Sequence, residues 1–258
     1  MINDRTKYAV VGIGHMGAPI ASALALSPGA EITLFNRTAA KAVAVAAGHT
    51  NMSVAASAAE AVVGARIVVL AVKPYLLRDV LRDCLNAAPS ATYVSLAPGI
   101  SLNDLEAIGA ASVVRLMPNV AIAHGEGMSF ICHNKAAAAD ALLLAQALAP
   151  TGHVDFVEER LFEPCMAVAS CGIAYALRYV RATAQAAVSK GLRPDDATAF
   201  AAQTLRGVAA MLEANPGVNP ESLIDTVTTP GGSTIRGLMA MEREGFTPAV
   251  AAGILGCL

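Results

Sequence analysis

Apolar positions follow two different rhythms along this chain. From residue 7 to about 157, short β-branched runs alternate with alanine-rich stretches of helical spacing. The runs predict strands at Tyr8–Val11, Ile32–Phe35, Ile67–Val72, Tyr93–Leu96, Val113–Met117, Met128–Cys132 and Val154–Val157. Helices are expected between the early ones, over stretches such as Ala18–Leu26, Ala39–Ala46, Ala56–Val63 and Leu76–Leu85. A run that is apolar at every position, such as Ile67–Val72, suits a strand covered on both faces. Strand and helix in alternation imply right-handed crossovers on a parallel sheet. The first domain, residues 1–159, is therefore expected to be an α/β doubly wound sheet.

The second rhythm is helical throughout. No strand pattern survives beyond Leu161. Met166 to Lys190 reads as one long apolar helix stopped by Gly191. Pro194 suits a first helical position, with Asp195 and Asp196 at the positive end of the helix dipole, and that helix is expected to run to about Ala214. Asn219-Pro220-Glu221 and Thr247-Pro248 start two more in the same manner. Residues 160–258 thus form an all-helical domain, and one so apolar needs partners. A homodimer or larger homo-oligomer through this domain is expected.

Composition removes several alternatives. The 258 residues carry 18 basic and 20 acidic side chains, so no basic surplus is available to neutralise a nucleic-acid backbone. Aromatics are 4% with no Trp, which leaves few platforms for base stacking. The longest uncharged stretch, Tyr8 to Ala30, is interrupted by Gly12, Gly14, Gly17, Pro19 and Pro28, so no membrane span is expected. No secretory leader pattern is expected either, and a cytoplasmic location follows. The five cysteines (Cys84, Cys132, Cys165, Cys171, Cys257) are scattered without a C-x-x-C pair, which suits reduced, buried thiols rather than a disulfide framework. The five histidines show no metal-ligand spacing, and no metal is expected.

Two glycine-rich segments carry the chemistry. Gly12-Ile13-Gly14-His15-Met16-Gly17 follows a predicted strand and opens a helix, the context that a dinucleotide-binding, Rossmann-type turn requires. Gly12 permits the tight turn, Gly14 lets the backbone approach a pyrophosphate, and Gly17 lets helix and strand pack closely. About 20 residues on, a site for NAD places a carboxylate against the ribose 2′-hydroxyl. This chain has Asn36 there, followed by Arg37, Thr38 and Lys41, which would attract a 2′-phosphate. NADPH is the expected cofactor, with NADH possible. Ala71, Val72, Lys73 and Pro74, at the carboxyl end of the third predicted strand, should border it. In the helical half, Thr228-Thr229-Pro230-Gly231-Gly232-Ser233-Thr234 feeds a helix that continues through Arg236 to Glu244. Its consecutive N–H groups and hydroxyls form a cradle for an anion, most naturally a carboxylate.

Leu223 to Glu242, which contains this loop, resembles the signature of pyrroline-5-carboxylate reductases. The likeness extends over most of the chain in the family's order: V-G-I-G-H-M-G at Val11–Gly17, N-R-T at Asn36–Thr38, A-V-K-P at Ala71–Pro74, R-L-M-P-N at Arg115–Asn119 and G-E-G-M at Gly125–Met128. The resemblance implies an NAD(P)H-dependent reductase that makes proline from a cyclic imine carboxylate, with a dinucleotide-binding domain and a helical dimerisation domain. It assigns the substrate carboxylate to Gly231, Gly232, Ser233 and Thr234, and proton donation toward the imine nitrogen to Thr234. It places Lys73 and Asn119 at the lining of the active site.

Departures from the family pattern cluster on the substrate side. Ala169-Ser170-Cys171-Gly172-Ile173-Ala174-Tyr175 stands where the family reads S-G-S-G-P-A-Y, and Val120-Ala121 replaces T-P after Asn119. A related reductase acting on another cyclic imine acid would keep every motif and differ here. A sensor that binds NADP without turnover would not need the Gly231–Thr234 loop. A β-hydroxyacid dehydrogenase would be expected to carry a Lys and an Asn four residues later, whereas Lys190 is followed by Pro194.

Overall fold

The strands of the first half are β1 (Thr6–Val11), β2 (Ala30–Phe35), β3 (Met52–Val54), β4 (Ile67–Leu70), β5 (Thr92–Ser95), β6 (Ser112–Pro118), β7 (Gly127–His133) and β8 (Gly152–Phe156). They form one sheet in the order β3-β2-β1-β4-β5-β6-β7-β8, whose first six members have the strand order of a dinucleotide-binding sheet. This is a computed structural model that describes residues 6–258, so the first five residues of the expected first domain lie outside the described residues. The helices are α1 (Gly17–Ala25), α2 (Ala39–Ala46), α3 (Ala58–Ala61), α4 (Pro74–Ala87), α5 (Leu102–Ile108), α6 (Ala138–Leu148) and α7 (Phe162–Met166).

Alternation along the strands builds two cores. Val10, Leu34 and Val69 face one side, where Ile20 and Leu24 of α1 and Leu144 and Leu148 of α6 cover them. Val11, Val68 and Leu70 face the other, against Leu77 and Leu81 of α4 and Leu105 of α5. β4 is buried at every position, as its unbroken apolar run requires. β3 was not legible from the pattern: it is a three-residue edge strand, Met-Ser-Val, with no buried position. The sheet is not parallel throughout. β7 runs antiparallel to β6, because the link between them is only a short 3₁₀ turn at Val120–His124, and a parallel return needs a crossover of a dozen residues or more.

The chain divides into two compact units, one ending at Ser170 and the other spanning Cys171–Leu258. Residues 160–170, which the hydrophobic pattern assigned to the helical domain, are bonded into the first unit. Arg115 of β6 reaches Glu159 and Glu163, and Asn119 reaches the carbonyl of Ala169. The single helix expected from Met166 onward is also broken: α7 gives way to a π turn at Ala167–Cys171 before the next helix begins.

The second unit contains α8 (Gly172–Val188), α9 (Pro194–Ala214), α10 (Pro220–Thr226), α11 (Ser233–Arg243) and α12 (Phe246–Leu255). α8 packs on α9, and α12 on both α8 and α11. The punctuation is as the sequence implies. Gly191 takes a left-handed φ of 99°, Pro194 and Pro220 open α9 and α10, and the Asn219 side chain accepts from the Glu221 N–H at 3.0 Å. Large apolar side chains remain open in the single chain, including Phe200 at 61% and Met239 at 67% exposure. Among the described residues no helix is long and apolar enough to cross a membrane.

Candidate active site

The glycine turn leaves β1 at Val11 and enters α1 at Gly17. Gly12 adopts φ 99°, and a Cβ there would lie 2.5 Å from the carbonyl oxygen of Ala71. At Gly17 a Cβ would fall 1.9 Å from the Gly12 carbonyl. Gly14 has open space around its Cα, where a ligand's phosphates can come close to backbone. Gly12 thus makes the tight turn and Gly17 the close packing of helix on strand, and the first turn of α1 has no side-chain cap. Gly14 and His15 are exposed, Met16 is half-buried and Ile13 is buried. The chain's own atoms fit a dinucleotide here.

Asn36, at the end of β2, buttresses this turn. Its side-chain oxygen accepts from the Ile13 N–H at 2.8 Å, and its amide donates to the Thr38 carbonyl at 2.9 Å. Arg37, Thr38 and Lys41 are exposed just beyond it. The Ala71 N–H is bonded to Val11 at 2.8 Å, so Ala71 and Val72 sit directly against the glycine turn. Lys73 is exposed at the N-cap of α4, with Pro74 at the first helical position.

Asn119, expected to line the active site, is held by the chain's own backbone. It is buried, its oxygen accepts from the N–H groups of Ala121 (3.1 Å) and Met128 (3.4 Å), and its amide donates to the Ala169 carbonyl at 3.1 Å. A π turn displaces backbone carbonyls from their usual partners, and Asn119 satisfies one of them. Four residues earlier, Arg115 is 4% exposed, bonded to Glu159 at 3.0 Å and Glu163 at 3.1 Å, with its guanidinium 4.3 Å above the Phe162 ring. Glu159 also accepts from the Leu102 N–H at 2.7 Å. Arg115 opens the R-L-M-P-N motif, which by itself assigns it no task. The signal was present in the Glu159 and Glu163 pair, since a buried Arg requires carboxylate partners.

In the second unit the Thr229–Thr234 loop is tight. Gly231 takes φ 68°, and a Cβ on Gly232 would lie 2.4 Å from the Thr229 hydroxyl oxygen. The Gly232 N–H, counted from sequence among the anion donors, is committed to the Thr229 carbonyl at 2.9 Å because the loop closes as a turn. The Arg236 guanidinium donates to the Gly231 carbonyl. α11 then starts at Ser233 without a side-chain cap, so the amides of Ser233, Thr234 and Ile235 have no partner within the helix. Ser233 and Thr234 are exposed.

Burial decides thiol chemistry elsewhere. Cys84 and Cys132 are buried and their thiols are pushed up to about 12, whereas Cys165, Cys171 and Cys257 are partly exposed. Among the described residues no group of three or more His, Cys, Asp or Glu side chains could hold a metal ion.

Comparison with known proteins agrees with both halves. The family described as "Pyrroline-5-carboxylate reductase dimerisation" matches residues 159–258, and "NADP oxidoreductase coenzyme F420-dependent" matches residues 7–99. The chain is 32% identical over 256 residues to the pyrroline-5-carboxylate reductase of Pisum sativum, covering 95% of this chain and 91% of that one. It is 31% identical over 265 residues to the Escherichia coli enzyme of the same name, covering 98% and 96%. Among solved structures, the Streptococcus pyogenes 1-pyrroline-5-carboxylate reductase superposes with a TM-score of 0.85 at 25% identity, covering 97% of this chain and 96% of that one. The Plasmodium falciparum pyrroline carboxylate reductase, solved with NADP bound, shares the fold with a TM-score of 0.87 at 23% identity, covering 98% and 96%. With a glycine turn shaped for a dinucleotide, a helical unit of the dimerisation type and relatives aligned along nearly its whole length, the chain belongs to the pyrroline-5-carboxylate reductase family.

Proposed function

We propose that this protein reduces 1-pyrroline-5-carboxylate to L-proline with NADPH, as a cytoplasmic homodimer or larger homo-oligomer joined through its helical unit. The observation that carries this reading is the Thr229–Thr234 loop. Gly232 has no room for a side chain, Gly231 holds a left-handed φ, and the uncapped first amides of α11 are available to an anion. Bound NADPH supplies the hydride, which is added at the imine carbon while a proton goes to nitrogen.

The chain's own residues do the rest. Arg37 and Lys41 hold the 2′-phosphate, and Thr38 adds a hydroxyl donor. The backbone at Gly12–Gly17 accommodates the pyrophosphate, with Asn36 keeping the turn in shape. Ala71–Pro74 form the adjoining wall, and Lys73 offers its ammonium to a ribose hydroxyl or the substrate. The Ser233 and Thr234 amides hold the substrate carboxylate, within the loop shaped by Gly231 and Gly232. The Thr234 hydroxyl donates at the ring nitrogen and relays a proton. Asn119 is a positioning residue that acts through the Ala169 carbonyl. A protonated imine is already electrophilic, so placement and exclusion of water supply most of the rate without a buried acid–base pair.

A test is to supply NADPH deuterated at the transferred position together with pyrroline-5-carboxylate. One deuterium at the former imine carbon of proline supports the reading; proline without label, or no proline, contradicts it. The departures at Ser170–Ile173 and Val120-Ala121 favour, as second reading, the same reaction on another cyclic imine acid.

A further inference from the structure

In the second unit, Cys257 lies in a seat made by α8 and α12. Its sulfur is 2.9 Å from the Tyr175 hydroxyl and 3.4 Å from the Gly253 carbonyl oxygen. The Tyr175 hydroxyl donates to that same carbonyl at 2.9 Å. Gly253 faces the Tyr175 ring so closely that a Cβ there would be 3.7 Å from it. The end of the chain is thus fixed against one face of α8. Cys171 lies one helical turn before Tyr175, on the face to which the Tyr175 hydroxyl holds Cys257. Both sulfurs are partly open to solvent, while Cys84 and Cys132 are enclosed in the first unit.

We propose that Cys171 and Cys257 form an oxidisable pair that closes to a disulfide, tying the start of α8 to the end of the chain. The oxidant class is a small-molecule disulfide. One cysteine, as thiolate, attacks a sulfur of the oxidant, breaking its S–S bond and releasing one thiolate. The other cysteine attacks the resulting mixed disulfide, forming the Cys171–Cys257 bond and releasing the second thiolate. The protons of the two cysteines end on the departing thiols; the pair is oxidised and the small disulfide reduced. The Tyr175–Gly253 bond needs no cysteine hydrogen, so it survives the step and holds both partners in place. Cys171 stands where the family pattern has serine, so the pair is a property of this chain rather than of its relatives in general.

The test is to incubate the folded, full-length protein with glutathione disulfide, then unfold it in alkylating buffer and count thiols. The count is expected to fall from five to three with loss of two hydrogens in mass. A tryptic map should join the peptide Leu161–Arg178 to Glu244–Leu258, with fragmentation placing the bond at Cys171 rather than Cys165. The thermal midpoint should rise on oxidation and return on reduction. Cys171→Ser and Cys257→Ser should each stop at a glutathione adduct on the remaining partner. Five retained thiols, stable glutathione adducts on both cysteines of the unmutated protein, or a bond to Cys165 would overturn the proposal. The map of the unmutated protein decides the matter if either variant fails to fold.

Discussion

The Asn36 side-chain oxygen accepts the Ile13 N–H at 2.8 Å, linking the end of β2 to the glycine turn across 23 residues of sequence. Because its amide is also bonded to the Thr38 carbonyl, one side chain sets both the turn and the loop that carries Arg37 and Thr38. Asn36→Ala should lower NADPH affinity roughly fivefold, through a turn that has lost about 1 kcal/mol of hydrogen bonding. Asn36→Asp keeps the acceptor but sets a carboxylate beside the 2′-phosphate, so it should shift preference toward NADH. Fluorescence titration with each cofactor checks both; unchanged affinities would remove Asn36 from the site.

Arg37 and Lys41 are exposed side chains whose proposed partner is a single phosphate. Arg37→Ala and Lys41→Ala should each raise KM for NADPH about tenfold, as loss of one charge-assisted bond implies, while KM for NADH stays constant. Equal effects on both cofactors would show that these charges do not read the 2′ position.

The α11 loop separates substrate binding from proton supply. Gly232→Ala places a methyl group 2.4 Å from the Thr229 hydroxyl oxygen, so it should raise KM for the imine with little change in NADPH binding. Thr234→Ala should instead lower kcat by about tenfold to a hundredfold. Steady-state kinetics distinguish the two; full turnover in the Thr234 variant would end its catalytic assignment.

Arg115 is enclosed at 4% exposure between two carboxylates and an aromatic ring. Arg115→Ala should cost about 2–4 kcal/mol in urea unfolding. The lower end is favoured because Glu159 and Glu163 keep some contact with water once the guanidinium is gone. Arg115→Lys should recover little of this, since an ammonium cannot fork to two carboxylates while lying on a ring.

Thiol reactivity should sort by burial. Burial disfavours the thiolate and pushes Cys84 and Cys132 up to about 12, so near pH 8 on the order of one molecule in ten thousand carries either anion. Iodoacetamide on the folded protein near that pH should label the partly exposed cysteines and spare these two. Their labelling should accelerate as the pH rises toward 12.

How much of this was legible in the sequence follows from which interactions are local. The strands of the inner sheet announced themselves because β4 and its neighbours are apolar at consecutive positions, and the glycine turns because their spacing is dictated by backbone geometry. β3 escaped because three residues at an edge, Met-Ser-Val, are too few to show a periodicity. The antiparallel return of β7 escaped because it depends on the length of one turn. The reach of Arg115 to Glu159 and Glu163, and of Asn119 to Ala169, spans 44 to 50 residues. Such pairs are set by the folded chain, so a domain boundary drawn at 160 on hydrophobicity alone does not anticipate the bonding of residues 160–170 to β6. The commitment of the Gly232 N–H to Thr229 likewise depends on how the loop closes, not on its composition.

The rate of NADPH oxidation by the purified protein with pyrroline-5-carboxylate, measured beside the six-membered imine acid and beside NADH, decides whether this chain makes proline. The highest kcat/KM is expected for the five-membered ring with NADPH, lower by tenfold or more when either is exchanged. Tight NADPH binding with no turnover of the five-membered ring would contradict it.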